Sequence, residues 1–212
     1  MYNPHRFVET RLDVLHTLIT QHPLGTLVTH GPDGLAADHI PFELGAPTAV
    51  APFGVLRAHV ARANPLWRLT GTQVLAIFQG PSAYISPSLF AEKAISGKVV
   101  PTWNYATVHA SGTLTAIEDK EWLLAFVNRL TDRFEAPRAE PWAVEDAPRP
   151  YIDAMLSAIV GIEIPLARLD GKWKINQDDS AADRVQIAAR LSAESAGVKI
   201  GALMQARSPQ PE

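Results

Sequence analysis

The sequence predicts a mainly-β fold, an antiparallel barrel with attached α-helices, and three observations carry that prediction. β-like runs follow one another along most of the chain. Tight turns join most of them, whereas parallel neighbours would need crossovers of about a dozen residues or more. Helical periodicity is confined to the two ends and a few connections. The chain has 212 residues, 47% hydrophobic and 19% charged, which suits one well-filled domain and is far too apolar for a disordered one.

In chain order, residues 10–22 place Leu12, Leu15, Leu18 and Ile19 on one helical face, with Thr10 as the expected N-cap. Two β-like runs then flank Pro32-Asp33-Gly34, a hairpin signal. The run V-L-R-A-H-V-A at 55–61 precedes a short helix opened by Asn64-Pro65. Residues 73–79 and 83–86 continue the strand series, with Gly80-Pro81 expected to break it. A loop at 88–98 leads into an alternating strand at 99–112. A helix is expected from Glu118-Asp119 to about Phe134, and the four prolines of 136–150 predict an irregular connection. A helix at 151–157 and a long strand from Ile159 follow, with a turn expected at Asp170-Gly171. The remainder to about Arg207 reads as helical. This divides the chain into a barrel domain at 1–180, a C-terminal helical segment at 181–207, and a frayed tail at 208–212.

The sequence has no cysteine, which excludes disulfides, thiolate metal sites and cysteine nucleophiles. The formal charge of −3 comes with no basic stripe, so composition offers no argument for DNA binding. The first ten residues lack the apolar core of a signal peptide, and the apolar run near residue 155 is too short for a bilayer. A cytoplasmic protein is expected. No G-x-S-x-G, P-loop or G-x-G-x-x-G motif occurs, and no paired histidines at metal-ligand spacing.

Two stretches carry candidate chemistry. In residues 103–111, Trp103, Tyr105, Thr107, His109 and Ser111 alternate with Asn104, Ala106, Val108 and Ala110. Strand periodicity puts the large and polar set on one side. Such a face fills a barrel interior, meets a second subunit, or lines a ligand pocket. In H-V-A-R-A-N-P at 59–65, Arg62 stands just before a helix start, where free N–H groups and a guanidinium suit a phosphate. The alternative is an ordinary capped helix with an exposed arginine. In G-K-W-K-I-N-Q-D-D-S at 171–180, Gln177 is placed to reach a ligand from a loop, and Asp178-Asp179 read as a solvated turn.

Taken in order, G-T-L-V-T (25–29), H-I-P (39–41), H-V-A-R-A-N-P (59–65), V-L-A-I-F-Q-G-P-S-A-Y-I-S-P (74–87), G-K-V-V-P-T-W-N-Y-A-T-V-H-A-S-G (97–112), I-V-G-I-E-I (159–164) and G-K-W-K (171–174) resemble the PaiB-like family of FMN-binding split-barrel proteins. That family is described as negative transcriptional regulators. The resemblance implies a split β-barrel, a homodimer, and FMN at the subunit interface. It implies cofactor contacts along Asp38–Phe42, at Arg62-Ala63-Asn64 and at Gln79. Together with the stretches above, this gives a candidate cofactor site of His39, Ile40, Pro41, His59, Arg62, Ala63, Asn64, Gln79, Trp103, Tyr105, His109, Lys174 and Gln177. Asn176 and Asp178 depart from the family's usual L-S-Q-N after W-K, which puts an acid where an amide is usual. A flavin-linked regulator or sensor is the expected function; the alternative is a flavin-dependent oxidoreductase or haem-handling enzyme, with His109 or Tyr105 as proton donor.

Overall fold

The computed structural model describes residues 1–193 and 198–206, so the predicted tail at 208–212 lies outside the described residues. Nine strands are described: β1 (Val8–Glu9), β2 (Leu24–Gly31), β3 (Gly34–Pro41), β4 (Glu43–Gly45), β5 (Val55–Ala61), β6 (Gln73–Ile85), β7 (Thr102–Thr113), β8 (Thr115–Ile117) and β9 (Ile159–Lys174). The helices are α1 (Leu12–Gln21), α2 (Glu92–Ile95), α3 (Lys120–Glu135), α4 (Arg149–Ser157), α5 (Ala181–Ala193) and α6 (Val198–Ala206). Hydrogen-bonded neighbours run β3-β2-β6-β7-β9-β5-β4, so the order is open, with β3 and β4 at its ends. The fold is a mainly antiparallel split barrel with attached helices.

Two compact units share the chain. One comprises residues 1–18 and 78–109 with the described residues from 170 onward, and the other 19–77 and 110–169. Both are discontinuous, so the division does not follow a barrel-then-helix boundary at residue 180.

In the second unit, β2 and β3 pair in register from Leu24↔Pro41 to Gly31↔Gly34. Pro32 and Asp33 form the turn, and Gly34 takes φ +100, a conformation that favours glycine. β5 pairs with β4 and β9, bringing Arg57 opposite both Glu43 and Glu163. Arg57 meets Glu163 at 2.8 Å. Helix α3 starts at Asp119, whose carboxylate accepts from the Trp122 N–H at 2.7 Å. The helix buries Leu123 and Phe126 completely, worth about 1.5–3 kcal/mol each. Its Trp122 packs where a side chain on Gly161 would stand, since a Cβ there would lie 2.4 Å from the indole. Arg129 of α3 makes a two-bonded pair with Glu43 at 2.9 Å, which holds that carboxyl below the usual range.

In the first unit, the C-terminal helices are integral. Asp183 of α5 accepts from the N–H groups of Ala91 and Glu92, Gln186 donates to the Leu89 carbonyl, and Arg190 to that of Ser88. Trp173, Ile175, Ile187 and Leu191 are buried there.

Two expected breaks are absent. β6 runs unbroken through Gly80-Pro81, and β9 through Asp170-Gly171. Both glycines serve close approach. A Cβ on Gly80 would lie 2.9 Å from Leu18, and one on Gly171 would lie 2.2 Å from Leu15 and 2.8 Å from the Glu9 carbonyl. Helix α1 begins at Leu12, two residues beyond Thr10.

Candidate functional site

The predicted cofactor residues divide between the units. His39, Ile40, Pro41, His59, Arg62, Ala63 and Asn64 belong to the second, and Gln79, Trp103, Tyr105, His109, Lys174 and Gln177 to the first.

The first group begins on β3, an end strand of the sheet. Ile40 is buried, while His39 and Pro41 are exposed. They share a face with Leu35 and Ala37, and with Leu24, Thr26, Val28 and His30 of β2. Leu75 and Ile77 of β6 extend that face, because Val28 and Thr26 are their register partners. Leu24 and Leu35 are 62% and 78% exposed, and Thr26, Val28, Leu75 and Ile77 are half-buried. The result is a broad, largely apolar sheet face, bordered by histidines.

At the end of β5 the expected anion corner is mostly closed. The short helix is a 3-10 turn, Pro65–Leu69, and Asn64 caps it by accepting from the Leu66 N–H at 2.9 Å. The Asn64 amide also donates to Asp38 at 2.8 Å. The Arg62 N–H is bonded to Ala158 and the Asn64 N–H to Ala61. The free backbone donors expected here are therefore largely consumed, which corrects that part of the phosphate argument. The Arg62 guanidinium donates to Glu118 at 2.6 Å, to the Ser157 carbonyl at 3.0 Å and to the Ile159 carbonyl at 3.2 Å. Of five N–H groups this leaves two. Ala63 is exposed beside it.

His59 lies on the β5 face that α3 covers. Its ring meets Phe126 edge-on at 5.8 Å, and its Nδ1 is buried without a partner among the described residues. Burial pushes its pKa down, so the neutral ring is favoured. This placement makes His59 part of the α3 packing.

In the first unit the alternation of β7 is as expected, but its orientation differs from a ring-filled interior. Asn104, Ala106 and Val108 are buried, while Trp103 is 57% exposed and Tyr105 and His109 are half-buried. Thr107 breaks the pattern: it is 8% exposed and its hydroxyl donates to the Phe78 carbonyl at 3.0 Å. Trp103 meets Tyr84 edge-on at 6.1 Å. Lys172 is buried, with its ammonium 5.4 Å from the Tyr105 ring and 5.7 Å from that of Tyr2, and it donates to the Tyr2 carbonyl at 3.0 Å. Lys174 donates to the Thr102 hydroxyl and, at 3.0 Å, to the Trp103 carbonyl. Gln79 is exposed. Gln177 spends its amide on the chain itself, donating to the Arg6 and Trp173 carbonyls and accepting from the Ile175 N–H.

Asp178 sits on an exposed turn, as expected, whereas Asp179 departs from that reading. Asp178 pairs with Arg6 at 3.1 Å, and Asp179, partly buried, accepts from Asn176. Asn176 is itself buried and takes φ 59, a left-handed conformation that asparagine tolerates better than most residues. Asn176 in turn accepts from Asn104, a residue the strand pattern marked only as small and intervening.

Set against known proteins, this geometry has clear relatives. The chain belongs to the family described as "Putative FMN-binding domain", whose model matches residues 1–168. FMN is thus the cofactor of its class. An uncharacterised protein of Emericella nidulans is 34% identical, over 87% of each chain. The protease synthase and sporulation protein PAI 2 of Bacillus subtilis is 28% identical, over 92% of this chain and 90% of that one. Among solved structures, an FAD- and heme-binding protein of Mycobacterium smegmatis superposes with a TM-score of 0.58 at 20% identity, covering 86% of this chain and 79% of that one. The flavocytochrome Anf3 of Azotobacter vinelandii gives 0.57 at 14% identity, covering 86% and 77%. At these identities the structural likeness speaks to the fold. Among the described residues no helix is long and apolar enough to cross a membrane.

Proposed function

We propose that the protein is a flavin-linked regulator that binds FMN as a homodimer, with the ring system laid on the β2–β3 face and a second copy covering it. The observation that carries this reading is that face itself. Leu24 and Leu35 stand largely exposed beside half-buried Val28, Leu75 and Ile77. Contiguous apolar surface of this kind marks a binding or association site.

The residues fit the ring better than they fit the phosphate. A flat apolar wall with the Thr26 hydroxyl and His39 at hand suits a planar heterocycle with one polar edge. The phosphate falls to the two remaining N–H groups of Arg62, next to exposed Ala63, because Asn64 has closed the turn's own donors. The Glu118 carboxylate beside Arg62 opposes a second anion there. Bound FMN supplies redox chemistry; the chain positions it and keeps water from one face.

Support for regulation is the similarity to the Bacillus sporulation protein along most of the chain. With a net charge of −3, any DNA contact depends on a local patch, and a gel shift at low salt reveals it first. The deciding experiment titrates the pure protein with FMN, followed by absorbance and by sedimentation. A perturbed flavin spectrum and a dimer mass are expected, and Val28→Glu should lower both affinities at least about tenfold. A monomer that leaves the FMN spectrum unchanged overturns the reading. If NADPH reduces the bound flavin much faster than free FMN, the oxidoreductase alternative takes its place.

A further inference from the structure

A cavity of about 340 Å³ lies within the first unit, where the start of β7, the end of β9, the segment around α2 and residues 178–183 meet. Asn104, which lines it, is completely buried, and its Oδ1 has no hydrogen-bond partner among the described residues. A buried amide carbonyl left open has lost its water without a replacement, so a donor is missing from this inventory.

The orientation of that carbonyl is fixed by a relay. The Asp179 carboxylate can only accept, so Asn176 must turn its Nδ2 toward it. The Oδ1 of Asn176 then faces Asn104 and can only accept, so Asn104 donates its Nδ2. Flipping either amide would set acceptor against acceptor or donor against donor. The open atom is therefore an acceptor.

Asp179, which accepts from Asn176, lines the same cavity. Burial holds its carboxyl above the usual range, Asp178 and Asp183 reinforce this, and the Asn176 and Lys174 contributions oppose it. Asp183 is occupied by Ala91, Glu92 and Ser180, and Asp178 by Arg6. On the cationic side, the exposed ammonium of Lys98 has no partner among the described residues, and Lys174 retains one N–H beyond its two bonds. No grouping of side chains there could hold a metal ion, among the described residues.

We propose that this cavity binds a small zwitterion of the α-amino acid class. Its ammonium would meet the Asn104 carbonyl and Asp179, and its carboxylate would meet Lys98 and Lys174. A lone amine would leave Lys98 unanswered, and a lone anion would face an open carbonyl and a carboxylate. The site is separate from the flavin face and does not depend on it.

The test is calorimetric titration of the full chain with glycine, L-alanine, L-serine and L-glutamine, and with the N-acetyl and carboxamide derivatives of whichever binds. Saturable heat is expected for at least one amino acid, with a loss of about tenfold or more for each derivative, one charged contact being removed in each. Lys98→Ala should weaken binding by a similar factor and Lys98→Arg should restore most of it. Asn104→Ala should abolish binding, and because that residue is buried, the Lys98 pair keeps the test valid if this variant fails to fold. No saturable heat from any of the four overturns the proposal, as does equal binding of the N-acetyl derivative or an unchanged Lys98→Ala variant. The cavity then holds only water. FMN titration of the same samples reports on the flavin reading separately.

Discussion

At the Arg62 corner, most polar groups of the turn end on one another, Asn64 on Leu66 and Asp38, Arg62 on Glu118 and two carbonyls, and only two N–H groups of Arg62 are left over. In the Asn104 cavity, a buried carbonyl and an exposed ammonium meet no partner among the described residues. Both places looked or look like sites, and their chemistry is alike: amides, carboxylates and a cation. The difference is closure. A cluster whose donors and acceptors are mutually satisfied acts mainly as a fastener, while one left with an open buried acceptor has an unfilled requirement.

This contrast can be broken at several points. Arg62→Ala should cost the most, about 1.5–3 kcal/mol in urea denaturation, with the lower end expected because Arg62 and Glu118 are 39% and 58% exposed. Arg62→Lys should recover little, since one ammonium cannot span a carboxylate and two separate carbonyls. A loss below about 0.5 kcal/mol would show that the corner is not a fastener.

Asn64→Ala removes the cap of the 3-10 turn and its tie to Asp38, and should cost about 1 kcal/mol by the same measurement. Asn64→Asp should retain part of it, because the Leu66 N–H keeps an acceptor.

His59 gives a smaller, pH-dependent effect. Its pKa is lower in the folded chain than the ordinary 6.5. In the window just below that value the unfolded chain binds more protons, so stability rises with pH. The full contribution is present above about 6.5 and is lost as pH falls from there toward the folded value. Denaturation midpoints at pH 5 and 7.5 should show this, and His59→Phe should flatten that part of the profile. An unchanged slope would mean that another group dominates.

Lys98→Ala should be the mildest, within about 0.5 kcal/mol of the parent, since its side chain is exposed and has no partner among the described residues. A clear stability loss would place Lys98 among the fasteners and weaken the case for the cavity.

Much of the fold was legible because its signals are local. The two-residue turn before Gly34, the β5 run, the Asn64 cap and the Asp119 start of α3 each depend on neighbours within a few positions. The errors came from glycines whose reason lies far along the chain. Gly80 and Gly171 read as strand breaks, yet they clear space for Leu18, Leu15 and the Glu9 backbone. Nothing within ten residues of either announces that. The site was less legible for the same reason. Alternation separated the two faces of β7, but which one was buried depended on elements packed from elsewhere, and the small residues face inward. Asn104 passed as a spacer between aromatic residues. Its partners, Asn176 and Asp179, arrive from the far end of the sequence.

Lys172 carries one last consequence. Its amine sits between the Tyr2 and Tyr105 rings and is tied to a carbonyl of the first few residues. Acylating reagents applied to the intact protein should therefore modify exposed Lys93, Lys98 and Lys120 long before Lys172. Trimming the chain ahead of Phe7 should abolish that lag, turning a mass-spectrometric labelling profile into a gauge of whether the N-terminal arm is seated.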